Sequence, residues 1–158
     1  LSDLYPLAPD FQLVDTHGYP ITLSTFRGHT NVVLVFTRGL ACPFCRRHLA
    51  LLRREIDTFE SRQAVILVID PDRPDQIKEY WEREGLPFPG FADTENQVAS
   101  LFHQKVDIFR DGRLPSIVIL DRESRIRYRY DGASAPDLPA NEILLAELDR
   151  INQDTPEK

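Results

Sequence analysis

Three short apolar runs constrain this chain most. They are NVVLVF (Asn31 to Phe36), AVILVI (Ala64 to Ile69) and PSIVIL (Pro115 to Leu120). Each is rich in β-branched residues and lacks polar alternation, the pattern of a strand covered on both faces. Between the first two, apolar residues recur at Cys45, Leu49, Leu52, Ile56 and Phe59, one stripe of an amphipathic helix running from Cys42 to about Arg62. Asp72 before Pro74 suits the start of a second helix, with Ile77 to Glu84 as its body and Gly85 as its C-cap. Thr94 to Phe102 reads as a third helix and Ala140 to Ile151 as a fourth.

Two elements flank that core. FQLV from Phe11 and YPITL from Tyr19 to Leu23 enclose the turn-forming DTHG and predict an N-terminal hairpin. RIRYRY, from Arg125 to Tyr130, alternates strictly after the turn DRES and predicts an antiparallel edge strand with one wet face. Parallel strands joined by crossover helices, plus a closing antiparallel hairpin, give an α/β architecture with a central mixed β-sheet flanked by helices.

The 158 residues suffice to bury one good core, and no window approaches the ~18 apolar residues of a membrane span. A net charge of −6 argues against nucleic acid, whose binders need a basic surface. Arg46, Arg47, Arg53 and Arg54 cluster, but Glu55 and Asp57 are interspersed, so the expectation is a solvated helix face. LSDLYP at the N-terminus is not a signal-peptide pattern. The chain has no Met, so residue 1 is not expected to be the translation start. A cytoplasmic location is expected, with an extracytoplasmic one after removal of a leader as the alternative.

Both cysteines lie in RGLACPFCR, at the first strand-to-helix junction. A pair this close closes almost no loop, so bonding it adds little stability and reactivity is the better reason for it. Cys42 falls before or within the first helical turn. Unpaired N–H groups and the positive end of the dipole there favour a thiolate. Pro43 is harmless at that position because its missing N–H had no helical partner. Arg38, on the preceding loop, would add positive charge. Cys45 heads the apolar stripe and should face the core. The expectation is an exposed, acidic attacker at Cys42 and a shielded partner at Cys45, the asymmetry that dithiol–disulfide exchange needs. A metal reading adds His48 or His103 to the two thiolates, a set better suited to copper than to zinc. His48 otherwise reads as an exposed helix-face histidine.

These residues resemble a known superfamily. APDFQL (Ala8 to Leu13), Gly18, Leu23, FRG (Phe26 to Gly28) and VVLVF are similar to the start of redoxins, the alkyl hydroperoxide reductase and thiol-specific antioxidant proteins. RGLACPFCR resembles the signature of their peroxiredoxin-like branch, and LPSIVILD the segment before the last hairpin of thioredoxin-fold proteins. The resemblance spans about residues 4 to 150. It implies a thioredoxin-like fold with an N-terminal β-hairpin extension, and one redoxin domain over 1–158, with a core of about 4–152 and a frayed tail at 153–158. It also implies a thiol oxidoreductase that cycles Cys42 and Cys45 and needs no cofactor. Its substrate would be a peroxide, or alternatively a protein disulfide. An external thiol donor such as a thioredoxin or glutathione system would regenerate the pair. A copper-binding thioredoxin-fold protein is the third reading, and a homodimer using the 125–130 edge stays open.

Typical peroxiredoxins carry PxxxTxxC and a distant arginine. Laying Cys45 on that cysteine puts Arg38 at the proline, Cys42 at the threonine and Pro115 at the distant arginine, so proline and arginine have changed places. Either Arg38 then supplies the guanidinium from the opposite side, or the peroxidase apparatus is absent. Pro115 also occupies the position of the thioredoxin cis-proline, which would hold a substrate against Cys42; the other reading is an ordinary strand-initiating proline. Pro43 and Phe44 would tune the redox potential. The strand from Asn31 to Phe36 lacks the buried acid that often serves as proton acceptor.

Overall fold

A computed structural model describes residues 4–107, 109 and 112–154 of the chain. In chain order the elements are β1 (Gln12–Val14), β2 (Pro20–Thr22), a 3-10 turn (Leu23–Phe26), β3 (Asn31–Phe36), α1 (Pro43–Arg54) and α2 (Ile56–Glu60). There follow β4 (Ala64–Asp70), α3 (Pro74–Glu84), β5 (Gly90–Ala92), α4 (Gln97–Leu101), β6 (Val106–Asp107) and β7 (Gly112–Arg113). The last three are β8 (Ser116–Leu120), β9 (Ile126–Asp131) and α5 (Asn141–Asp154).

β1 and β2 form the N-terminal hairpin. Its turn is held by the Asp15 carboxylate, which accepts from the His17 and Tyr19 N–H groups at 2.9 Å each. The main sheet has five strands in the order β5-β4-β3-β8-β9, with β3 parallel to β4 and antiparallel to β8. Its two faces are filled by alternate residues of the same strands. Val33, Val35, Ile66, Val68, Ile117 and Ile119 pack with α1, α2, α3 and α5. Val32, Leu34, Phe36, Leu67, Ile69, Val118 and Leu120 pack with Phe11, Leu23, Phe91, Val98 and Phe102 on the other face. Burial of each such side chain contributes roughly 1.5–3 kcal/mol before chain entropy is charged against it. This two-sided cover is why the three runs carry no polar alternation.

Several elements depart from the sequence expectation. The helix from Cys42 breaks at Glu55, because the Leu51 carbonyl accepts from Asn141 Nδ2 at 3.0 Å while the Glu55 N–H turns to Leu52, three residues back, at 3.2 Å. α3 starts at Pro74 after Arg73 rather than at Asp72, and Gly85 caps it in the left-handed region at φ 59°. The helix expected from Thr94 begins only at Gln97, where the Asp93 carboxylate caps the N–H groups of Val98 and Ala99 at 3.2 and 2.9 Å. β9 is an antiparallel edge strand, but all six of its residues are half-buried. Its arginines are covered: Arg127 lies over the Tyr5 ring and pairs with Asp121 and Asp154. The Ile126 N–H is taken by the Pro6 carbonyl, so the start of the edge expected for a homodimer is already occupied. Gln153 and Asp154 are helical rather than frayed, while residues 155–158 lie outside the described residues. Among the described residues no helix is long and apolar enough to cross a membrane.

Candidate active site

β3 delivers the chain to a tight loop above the sheet's carboxyl edge. Thr37 stays in register, its N–H donating to the Ile69 carbonyl at 3.1 Å. Gly39 then takes φ +126°, which a side chain rarely adopts, and its carbonyl accepts the Cys42 N–H at 3.2 Å. Cys42 is the N-cap of α1 and Pro43 its first residue. Arg46 Nη1 reaches back to the Leu40 carbonyl at 2.7 Å and braces the loop against the helix. Phe44 flanks the pair and is 45% exposed.

Both sulfurs are reduced and face Arg38. The Arg38 N–H donates to Cys45 Sγ at 3.3 Å, and its Nη1 donates to Cys42 Sγ at 3.6 Å. Its Nε is fixed by the Arg113 carbonyl at 2.8 Å, which aims the guanidinium at Cys42. Burial raises the Cys42 thiol, but hydrogen bonds from the Cys45 backbone and thiol, the Arg38 side chain and the Phe44 backbone outweigh it and hold Cys42 below an ordinary thiol. Cys45 is pushed up to about 12 by burial and by the charge on Cys42, with only the Arg38 N–H acting against them. The pair can thus hold one thiolate, on Cys42, with the Cys45 thiol donating to it. The asymmetry is electrostatic rather than steric. Cys42 is 8% exposed and Cys45 2%, so the expectation of an exposed Cys42 is corrected: the Arg38 guanidinium lies against its sulfur.

A buried acid is present after all, on β4. Asp70 is fully buried, accepting from the Thr37 hydroxyl at 2.5 Å and from the Asp72 N–H at 2.8 Å. Burial and its contact with the Asp72 carboxyl push it up to about 7, against the pull of those donors. Its charge is felt at Cys45. Asp72 accepts the Leu40 N–H at 2.6 Å and ties the cysteine loop to the start of α3. Sequence reasoning ended the second apolar run at Ile69 and gave Asp70 no role. The signal it passed over is an acid ending an apolar strand parallel to β3, which brings its carboxyl under the β3–α1 loop.

Arg113 was also missed. Its guanidinium feels the charges of Asp93, Asp70 and Asp72, and its Nη1 and Nη2 are buried without a hydrogen-bond partner among the described residues. Gln104 Nε2 bridges the Thr37 and Leu114 carbonyls at 3.1 and 2.8 Å, joining this segment to the cysteine loop. Pro115 is buried beside it, but the Leu114–Pro115 bond is trans, as are all peptide bonds among the described residues. The Pro115 carbonyl accepts the Gly132 N–H at 2.8 Å, so this residue extends the β8–β9 ladder. The cis-proline expectation is therefore corrected to that of a strand-initiating proline.

His48 is buried, not exposed, and burial lowers it to about 4. It lies three residues after Cys45, on the same stripe as Leu49 and Leu52, a spacing that could have revealed it. Its Nε2 has no hydrogen-bond partner among the described residues, and His103 is exposed just after α4. Among the described residues no three His, Cys, Asp or Glu side chains converge as metal ligands.

Residues 6–129 match the profile of the AhpC/TSA family. Chloroplastic peroxiredoxin Q of Oryza sativa subsp. japonica is 29% identical over 139 residues, 87% of this chain and 63% of that protein. The chain thus spans less than two thirds of that relative's length. Alkyl hydroperoxide reductase E of Mycobacterium bovis is 29% identical over 126 residues, 77% of this chain and 80% of that protein. Among solved structures, peroxidoxin BcpB from Mycobacterium tuberculosis superposes with a TM-score of 0.82 at 21% identity, covering 93% of this chain and 96% of that one. Peroxiredoxin Q from Xanthomonas campestris gives 0.76 at 19% identity, covering 89% and 90%. These likenesses identify the architecture as the expected thioredoxin-like fold, a mixed five-stranded sheet with an N-terminal hairpin.

Proposed function

The chain belongs to the AhpC/TSA family, and on that premise we propose that it is a thiol-dependent peroxidase that resolves its own oxidised cysteine through Cys45. The observation that carries this reading is the opposite displacement of two adjacent thiols, Cys42 down and Cys45 up, around one arginine. The Cys42 thiolate attacks the terminal oxygen of a hydroperoxide. The O–O bond breaks, the alkoxide leaves and takes a proton from water, and Cys42 becomes a sulfenic acid. Arg38 holds charge where it builds on the departing oxygen. The Cys45 sulfur then attacks the sulfenic sulfur, the S–O bond breaks and water leaves, giving the internal disulfide. That step requires Cys45 to lose its proton, and Asp70 is the buried group suited to accept it; the same proton ends on the departing oxygen, so that water leaves and the Asp70 carboxylate is restored.

An external dithiol returns two electrons to the disulfide, so the reading requires a compartment that supplies thiol reductant, in keeping with the expected cytoplasm. Fully reduced protein mixed with one equivalent of hydrogen peroxide should lose both thiols within seconds. Its intact mass should fall by two hydrogens without gain of oxygen. Thiols that persist for many minutes would sink the peroxidase reading and leave the CxxC as a disulfide exchanger.

A further inference from the structure

The exposed face of α1 begins at the redox pair. Phe44, Arg47, Ala50, Leu51 and Arg54 share it, opposite the buried Cys45, His48, Leu49 and Leu52. Phe44 is 45% and Leu51 36% exposed, and a shallow open groove runs along Arg47, Ala50, Leu51, Arg53 and Arg54. Two neighbouring arginines are accounted for: Arg53 binds the Glu84 carbonyl and pairs with its carboxylate, and Arg46 braces Leu40. The side chains of Arg47 and Arg54 make no hydrogen bond or ion pair among the described residues. The helix dipole favours Arg54 in the last turn but offers nothing to Arg47.

The whole chain carries 25 acidic against 19 basic residues, yet the exposed side of α1 presents Arg46 and Arg47 in the turns next to the cysteines and Arg54 in the last turn. Cys42 is 8% exposed, so a thiol that reduces its disulfide must approach over the N-terminus of α1, past Phe44. Whatever carries that thiol then covers the next turns of the helix. We infer that the face of Phe44, Arg47, Leu51 and Arg54 is the docking surface for an acidic dithiol protein that re-reduces the Cys42–Cys45 disulfide. The inference rests on the dithiol reading above. Phe44 and Leu51 supply apolar contact, and the unpaired arginines select the sign of the partner's charge. In the reaction one donor thiolate attacks Cys42 Sγ, the S–S bond breaks and its electron pair leaves on Cys45, which takes up a proton. The donor's second thiolate attacks its own sulfur in the mixed disulfide, releasing the Cys42 thiolate and leaving the donor as a disulfide.

The test starts from protein oxidised with diamide, which forms the disulfide whether or not peroxide does. Re-reduction is followed with two synthetic peptides that share a Cys-x-x-Cys core, one flanked by four Asp and one by four Lys, and with dithiothreitol. Each peptide rate is normalised to its reaction with a neutral small disulfide. At low salt the Asp peptide should react about tenfold faster than the Lys peptide. That preference should vanish at high salt and in R47E/R54E, while the dithiothreitol rate stays the same in both proteins. Equal rates for the two peptides, or a preference that survives in R47E/R54E, would overturn the inference. So would a wild-type dimer that R47E/R54E dissolves, which would assign the face to a second copy. Failure of the peroxidase reading alone shows separately: peroxide leaves the thiols intact, while the diamide-formed disulfide still discriminates between the peptides.

Discussion

Arg38 is held to Cys42 by a carbonyl seventy-five residues away: the Arg113 oxygen fixes Nε at 2.8 Å and leaves Nη1 at 3.6 Å from the sulfur. A guanidinium placed in this way stabilises the thiolate without being consumed. Arg38→Ala should shift the pH at which Cys42 reacts upward and slow its reaction with peroxide by about 10- to 100-fold at pH 7, from a charged hydrogen bond of about 1.5–3 kcal/mol. Arg38→Lys should recover only part of that, because a point charge cannot hold the Arg113 carbonyl and Cys42 together in one plane. Stopped-flow thiol loss across pH checks both variants. An unchanged profile in Arg38→Ala would remove Arg38 from the site.

Asp70 gives stability a slope of unusual sign. Its folded value, about 7, lies above the unfolded 3.8, so the native state binds the extra proton between those limits. Stability from this group is full below pH 4 and falls as pH rises to 7. Asp70→Asn removes that loss, so the variant should gain on the wild type by a few kcal/mol between pH 4 and 7. Urea unfolding at pH 4.5 and pH 7.5 measures the difference. A constant gap between the two proteins would contradict a raised Asp70.

His48 acts in the opposite sense. Its folded value of about 4 lies below the unfolded 6.5, so the unfolded chain binds the extra proton in that window. The wild type therefore loses stability as pH falls from 6.5 to 4. His48→Gln should be relatively more stable at pH 4.5 than at pH 7.5, judged against wild type in the same unfolding series. A His48 imidazole that titrates at 6.5 by NMR would contradict this account.

Gly90 seats the α3 side of the fold. A Cβ there would lie 2.4 Å from the Trp81 ring, whose Nε1 is already committed to the Phe88 carbonyl at 2.8 Å. Gly90→Ala should cost roughly 1–3 kcal/mol through overpacking. Thermal unfolding reads it as a lowered midpoint, and an unchanged midpoint would mean that Trp81 moves freely.

What the sequence made legible follows from range. β3, β4 and β8 were visible because two-sided burial imposes an apolar run, and α1 because its stripe is local. The break at Glu55 was invisible because it depends on Asn141, ninety residues from the carbonyl it binds. β5 is three residues long and carries no pattern of its own. At the site, the loop geometry at Cys42 and the core-facing Cys45 could be read from spacing. Asp70 was passed over although its place at the end of a strand parallel to β3 marks it, and Arg113 was hidden because β7 is two residues long and lies outside the main sheet. His48 was misread by grouping it with Arg46 and Arg47 instead of with the stripe.

In the proposed reaction Cys42 takes the oxygen and Cys45 resolves it. The most direct test exposes Cys45→Ser and Cys42→Ser separately to one equivalent of hydrogen peroxide with dimedone present, then maps the adduct by peptide mass. Cys42 should be labelled rapidly in Cys45→Ser, and Cys45 slowly or not at all in Cys42→Ser. Rapid labelling of Cys45 with an inert Cys42 would reverse the two roles and contradict the proposed reaction.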